Sequence, residues 1–165
     1  MDPTTADTVL PVAVARAKGE GPALNVLGSP YIFKATSAET GNRFCCLEHA
    51  VPPGSGVPAH THTHEDEFFY VLAGEVTFDS ADRPEPLQLG AGGSFFSPRG
   101  QQHAFRNAGS VEARMLVCCM PGAGIERMFR ELHEAGMRAG GGPDMAEIVA
   151  ITERAGVKMA QPPET

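Results

Sequence analysis

Three histidines stand at every second position, His60, His62 and His64, and three acidic side chains follow at once, Glu65, Asp66 and Glu67. A β-strand sends residues i, i+2 and i+4 to one face. A strand here would therefore aim two or three imidazoles the same way, with carboxylates just beyond a short turn. Imidazole nitrogen and carboxylate oxygen are the donors that hold Zn, Fe, Mn, Ni or Cu. The apolar run Phe68 to Leu72 reads as a second strand, able to hold a carboxylate opposite the imidazoles. The same HTHTHEDE tract also reads as a solvated polar loop that binds metal weakly and without function. A second stretch bears on which reading holds.

That stretch is GGSFFSPRGQQHAFRN, Gly92 to Asn107. His103 follows a Pro98-Arg99-Gly100 turn, so a strand begins beside it and places His103, Phe105 and Asn107 on one face. Alone, one histidine after a turn is an ordinary structural residue. Together the two stretches resemble the cupin superfamily. Gly54, His60, His62, Glu67 and Gly74 match the pattern GxxxxxHxHxxxxExxxxxxG, and Gly92, Pro98, Gly100, His103 and Asn107 match GxxxxxPxGxxHxxxN. The resemblance implies an all-β fold, a small antiparallel jelly-roll barrel. It implies one divalent metal ion (Fe, Mn, Ni, Cu, Co or Zn) on His60, His62, His103 and Glu67, with Gly54, Gly74, Pro98 and Gly100 as turn residues. His64 shares strand parity with the ligands but lies outside the ligand pattern; it reads as a residue at the rim of a substrate pocket, ahead of a proton shuttle or a support behind the ligands. His49 and His133 have no partner pattern and read as structural or exposed.

The elements that must position these groups are legible as short runs between Gly and Pro turns. Strands are expected at 23–27, 31–36, 44–51, across the histidines, at 67–73, 75–78, 87–89, 94–97, 103–107 and 113–120. That spacing, without intervening helical periodicity, predicts a sandwich or small barrel. Residues 1–22 read as an arm, with an edge strand across 9–15 where Pro11 is tolerable. Residues 23–121 read as the barrel and 122–165 as a helical extension. Ile125, Met128, Phe129 and Leu132 follow helical spacing, with an end expected near Gly136. Asp144 with Glu147 makes a capping-box-like start to a second helix, stopped by Gly156. Gly140 to Pro143 read as a loop and the last five residues as a frayed tail.

Parity also describes the pocket. Glu67, Phe69 and Val71 should face the interior with the ligands, as should Phe105 and one of Phe95 or Phe96. The interior then suits a small hydrophobic or aromatic molecule, although the same rings also serve simply to fill a small barrel. Phe68, Tyr70 and Leu72 face the other way and are apolar too, which points to a covering sheet or subunit. The resemblance implies a homodimer.

Composition bounds the rest. The chain has 165 residues and a net charge of −7, with 42% hydrophobic residues. Its length fits one domain with a real core. The charge and the lack of a basic cluster argue against a nucleic-acid partner. No apolar run approaches membrane-spanning length, and the acidic N-terminal stretch has no signal-peptide pattern. A cytoplasmic protein with no membrane partner is the expectation. Four cysteines lie as Cys45-Cys46 and Cys118-Cys119, without CxxC spacing, and read as reduced thiols in strands.

Three functions fit. The first is an oxygenase resembling quercetin-dioxygenase-like cupins, with a phenol or enol bound as its anion and Glu67 as ligand and base. The second is Lewis-acid chemistry without redox change, as in polyketide cyclases and isomerases of this fold. The third is a binder without turnover. The dioxygenase ranks first on sequence, narrowly ahead of the cyclase.

Overall fold

The computed structural model describes residues 10–139 and 144–160. Two antiparallel sheets face each other. One runs in the order β1 (Ala23–Val26), β2 (Ser29–Ala35), β3 (Cys45–Val51), β10 (Ala113–Met120), β5 (Asp66–Ala73) and β8 (Ser94–Ser97). The other runs β11 (Val157–Met159), β4 (Gly56–His62), β9 (Gln102–Arg106), β6 (Glu75–Ser80) and β7 (Leu87–Gly90). The ten strands expected between residues 23 and 120 are all present.

Alternation builds the core. Cys45, Leu47, His49 and Val51 of β3 point inward, as do Ala113, Met115, Val117 and Cys119 of β10, and Glu67, Phe69 and Val71 of β5. Each cysteine pair accordingly splits, with Cys45 and Cys119 buried and Cys46 and Cys118 half-buried on the outer face. On that outer face Phe68 and Phe96 pair in register, and with Tyr70 they remain exposed. The turn after β5 needs Gly74. Its φ is +71°, and a Cβ there would lie 2.8 Å from the Ala113 Cα.

Two clamps fix the motif ends. Arg99 wraps Asp66, its backbone N–H donating to Oδ1 at 2.9 Å and its Nη2 to Oδ2 at 2.8 Å, so the Pro98–Gly100 turn is tied to the start of β5. Asn107 Nδ2 donates to the carbonyls of Val51 and Val111, both at 2.8 Å, and its Oδ1 accepts from the Gly109 N–H. Asn107 is thus a buried loop anchor.

Helix α1 (Ala123–Ala139) lays Ile125, Met128, Phe129, Leu132 and Ala135 against the β1 side of the barrel. It runs a turn past Gly136, which the helix accommodates at a cost of about 1 kcal/mol. Glu126, on its polar side by sequence, is buried and accepts from the Ser37 N–H at 2.6 Å and from Arg130. Helix α2 (Met145–Arg154) is capped by Asp144, which accepts from the Glu147 N–H at 2.7 Å as the capping pattern foretold.

Two expectations are corrected. The C-terminal extension is not only helical: β11 returns to the barrel and pairs with β4. Three residues after a glycine carry too little periodicity to announce a strand. Residues 10–22 form no edge strand; Arg16 pins the arm instead, donating to Glu39 and to the Lys34 carbonyl. Residues 1–9 of the arm, the loop 140–143 and the tail 161–165 lie outside the described residues.

Candidate metal centre

β4 delivers His60 and His62 from one sheet, with β9 beside it supplying His103 directly opposite His60. β5 delivers Glu67 from the other sheet. All four side chains are buried, and one ligand atom from each lies within 4.8 Å of all the others. His60 Nε2 and His62 Nε2 are 3.1 Å apart. Glu67 Oε2 lies 2.9 Å from His103 Nε2 and 3.3 Å from His62 Nε2. The cross-sheet carboxylate expected from Phe68–Leu72 reading as a strand is therefore in place.

The outward atoms of the ligands are held as well. His60 Nδ1 donates to the Pro58 carbonyl at 2.8 Å, which turns its Nε2 lone pair into the cluster. His103 Nδ1 meets Ser97 Oγ at 2.9 Å. Glu67 Oε1 accepts from Cys119 Sγ at 3.2 Å. His62 Nδ1 faces Glu65 Oε2 at 3.6 Å, inside ion-pair range but beyond hydrogen-bond reach, and both atoms are buried without another partner among the described residues. Histidine ligands to metals characteristically place their second nitrogen on such a carbonyl, hydroxyl or carboxylate. Inward nitrogens with outward partners, and one shared carboxylate oxygen, fit a divalent metal of the mixed N/O type.

The electrostatics of the cluster divide its members. Burial pulls the His62 imidazolium down, but the charge of Glu67 and the contact with Glu65 outweigh it, and His62 is pushed up to about 9. His60 goes the other way, to about 4, because burial and the neighbouring His103 both oppose its charging. Burial pushes Glu67 up, yet the His62 charge and its histidine hydrogen bonds hold it well below the usual carboxylate range. His62 and His60 are thus pushed in opposite directions around the Glu67 carboxylate.

The apolar wall is as parity implies. Phe69, Val71 and Phe105 are buried in the interior, and Phe69 packs its ring 5.7 Å from that of His103. Phe95 is the inward member of its pair and Phe96 is exposed. Phe95 also lines a cleft of about 360 Å³ with Phe96, Pro98, Gln101, Ser80 and Arg83, while its ring sits 6.4 Å from His103. One aromatic ring therefore lies between the cleft and the cluster.

His64 does not line this interior. β4 ends at His62, so strand parity no longer applies at His64, which is exposed and packs on the backbone of Gly156. His133 lies on α1 and meets the backbone of Asn25. His49 is buried between the sheets, stacked on Tyr31 at 4.2 Å and edge-on to Phe105, with neither ring nitrogen hydrogen-bonded among the described residues. Glu65, Ser97 and Cys119 are the supporting residues that the sequence reading did not single out.

Comparison with known proteins agrees with this architecture. Residues 47–119 match the family model described as a cupin domain. The Streptomyces halstedii protein SchB is 42% identical over 66 residues, 40% of this chain and 46% of SchB. An oxalate-binding protein of Thermotoga maritima is 35% identical over 66 residues, 40% of this chain and 53% of that protein. The polyketide synthase protein CurC of Streptomyces cyaneus is 32% identical over 98 residues, 59% of this chain and 58% of CurC. The aligned part spans about half the length of these curated relatives. Among solved structures, the polyketide cyclase RemF of Streptomyces resistomycificus superposes with a TM-score of 0.56 at 24% identity, covering 66% of this chain and 80% of RemF, which is a likeness of fold.

Proposed function

We propose that the protein, whose residues 47–119 match the cupin-domain family model, is a metal-dependent cyclase or isomerase acting on an aromatic or enolic polyketone. The observation that carries the reading is the buried His60–His62–His103–Glu67 cluster set against a wall of phenylalanines. The polyketide synthase protein CurC, 32% identical over the aligned part, supports a polyketide substrate. On that support the cyclase stands ahead of the dioxygenase that the sequence alone ranked first.

His60, His62, His103 and Glu67 would hold the metal, which when bound supplies a Lewis acid that polarises a carbonyl or enol oxygen. The protein does the rest. Phe95, which lines the cleft, would give a flat apolar substrate a surface to stack on, and Phe69 and Phe105 pack behind it and keep water from the cluster. Pro58, Ser97 and Glu65 face the outer nitrogens of the three imidazoles. Glu67 has one oxygen on Cys119 and the other facing two histidines.

Protein loaded with Zn or Mn and given short aromatic polyketones under strict anaerobiosis is the test. Ring closure or enol–keto isomerisation without O₂, lost in His103→Ala, is the expected result. Turnover that requires O₂ and consumes it in proportion to substrate would return the reading to a dioxygenase. Tight binding of a small dicarboxylate with no turnover of any polyketone would make the chain a binder.

A further inference from the structure

We propose that Cys119 is a positioning residue for the metal centre: its thiol holds Glu67 so that only one carboxylate oxygen, Oε2, is presented to the cluster. The inference rests on the cluster being a metal centre. It does not depend on which substrate is turned over.

The geometry is specific. Cys119 and Glu67 sit directly opposite each other on β10 and β5. Both side chains are buried, and Cys119 Sγ lies 3.2 Å from Glu67 Oε1. An ionised carboxylate only accepts hydrogen bonds, so the thiol is the donor. The two oxygens are thereby given different work. Oε2 faces His103 Nε2 at 2.9 Å and His62 Nε2 at 3.3 Å, while Oε1 is turned to the strand behind. Freed of the thiol, the carboxylate could rotate and bring both oxygens toward the three imidazoles. A centre that must admit a substrate oxygen needs positions kept open, and a carboxylate limited to one donor atom leaves more of them.

A hydrophobic cysteine used only as filler would tolerate Ala or Val with a change in stability alone. The proposal demands more, and Co(II) gives the readout, because its visible absorption weakens as its coordination number rises. Cys119→Ala, Cys119→Val and Cys119→Ser are each loaded with one equivalent of Co(II), with folding checked by circular dichroism. Weaker Co(II) bands than the parent's are expected in Ala and Val, with an affinity loss of about tenfold, the usual cost of removing a ligand's outer partner. Ser keeps a donor and should keep the parent spectrum. Val fills the thiol's space, so a fold that fails only in Ala still leaves the test intact. A parent spectrum in Ala or Val overturns the proposal, as does a change in Ser as large as in Ala. A parent protein that takes up no Co(II) overturns the metal centre itself, and a failed cyclase assay beside the expected spectra overturns only the function.

Discussion

The barrel interior holds histidines in two surroundings. His60, His62 and His103 converge, and each has a protein atom facing its outer nitrogen. His49 is just as deep, but rings surround it, and neither of its nitrogens has a partner among the described residues. Burial alone therefore does not mark a site. In the cluster the electrostatics split, with His62 pushed up to about 9 and His60 down to about 4. At His49 only burial acts, and it lowers the imidazole to about 4. A group pushed in opposite directions from its neighbours belongs to a charge arrangement; a group pushed only by burial is being packed.

The comparison breaks most sharply by deletion. His62→Ala or His103→Ala should reduce bound metal, counted per chain by mass spectrometry, from one equivalent to none. The fold should survive, because each leaves a space in a site that already tolerates polar groups. His49→Phe should leave the metal count at one. Stoichiometric metal in both cluster variants would sink the assignment.

Next in size is pH. Metal displaces the proton on His62, so below about 9 each unit of acid costs about tenfold in affinity. Titration of Zn at pH 8 and pH 6 should differ by about 100-fold, weaker at pH 6. An affinity flat across that range would mean that His62 carries no proton to displace.

His49 predicts an effect of another kind. Its folded value, about 4, lies below the ordinary 6.5. Between those values the unfolded chain binds more protons than the folded one, so stability is full above 6.5 and falls as pH drops toward 4. At pH 5 the loss is about 2 kcal/mol by the same linkage. His49→Phe should remove that component, so that urea unfolding of the metal-loaded protein shows a flatter decline from pH 7 to pH 5. An unchanged decline would place the acid sensitivity elsewhere.

Much of this was legible in the sequence. His60, His62, Glu67 and His103 are named by strand alternation and by two spaced patterns, and the structure brings the four together. Phe69, Val71 and Phe105 followed from the same parity. Parity failed at His64 because the strand ends two residues earlier, which no local signal announces. Glu65 was hidden among its acidic neighbours, since burial decides its role and burial is not written in an HEDE run. Ser97 and Cys119 were out of reach for another reason. Their inward parity is readable, but which residue each one faces depends on cross-strand and cross-sheet register, and that is set by the whole barrel. β11 was invisible because three residues gain strand character only from pairing with β4.

Ser97 gives the smallest effect and the finest test of what an outer partner contributes. Its hydroxyl is buried and meets His103 Nδ1 at 2.9 Å. The next acceptor for that nitrogen is the Gln101 carbonyl at 3.5 Å, too long for a good hydrogen bond. Ser97→Ala therefore removes the hydroxyl that holds the His103 ring from behind while leaving a poor substitute close by. Zn affinity should fall by about tenfold, the lower end of the usual outer-partner cost. Metal count at saturation and unfolding midpoint should hardly move. If affinity is unchanged, the Gln101 carbonyl alone suffices, and His103 would differ from His49 only in what lies in front of its ring rather than in what holds it from behind.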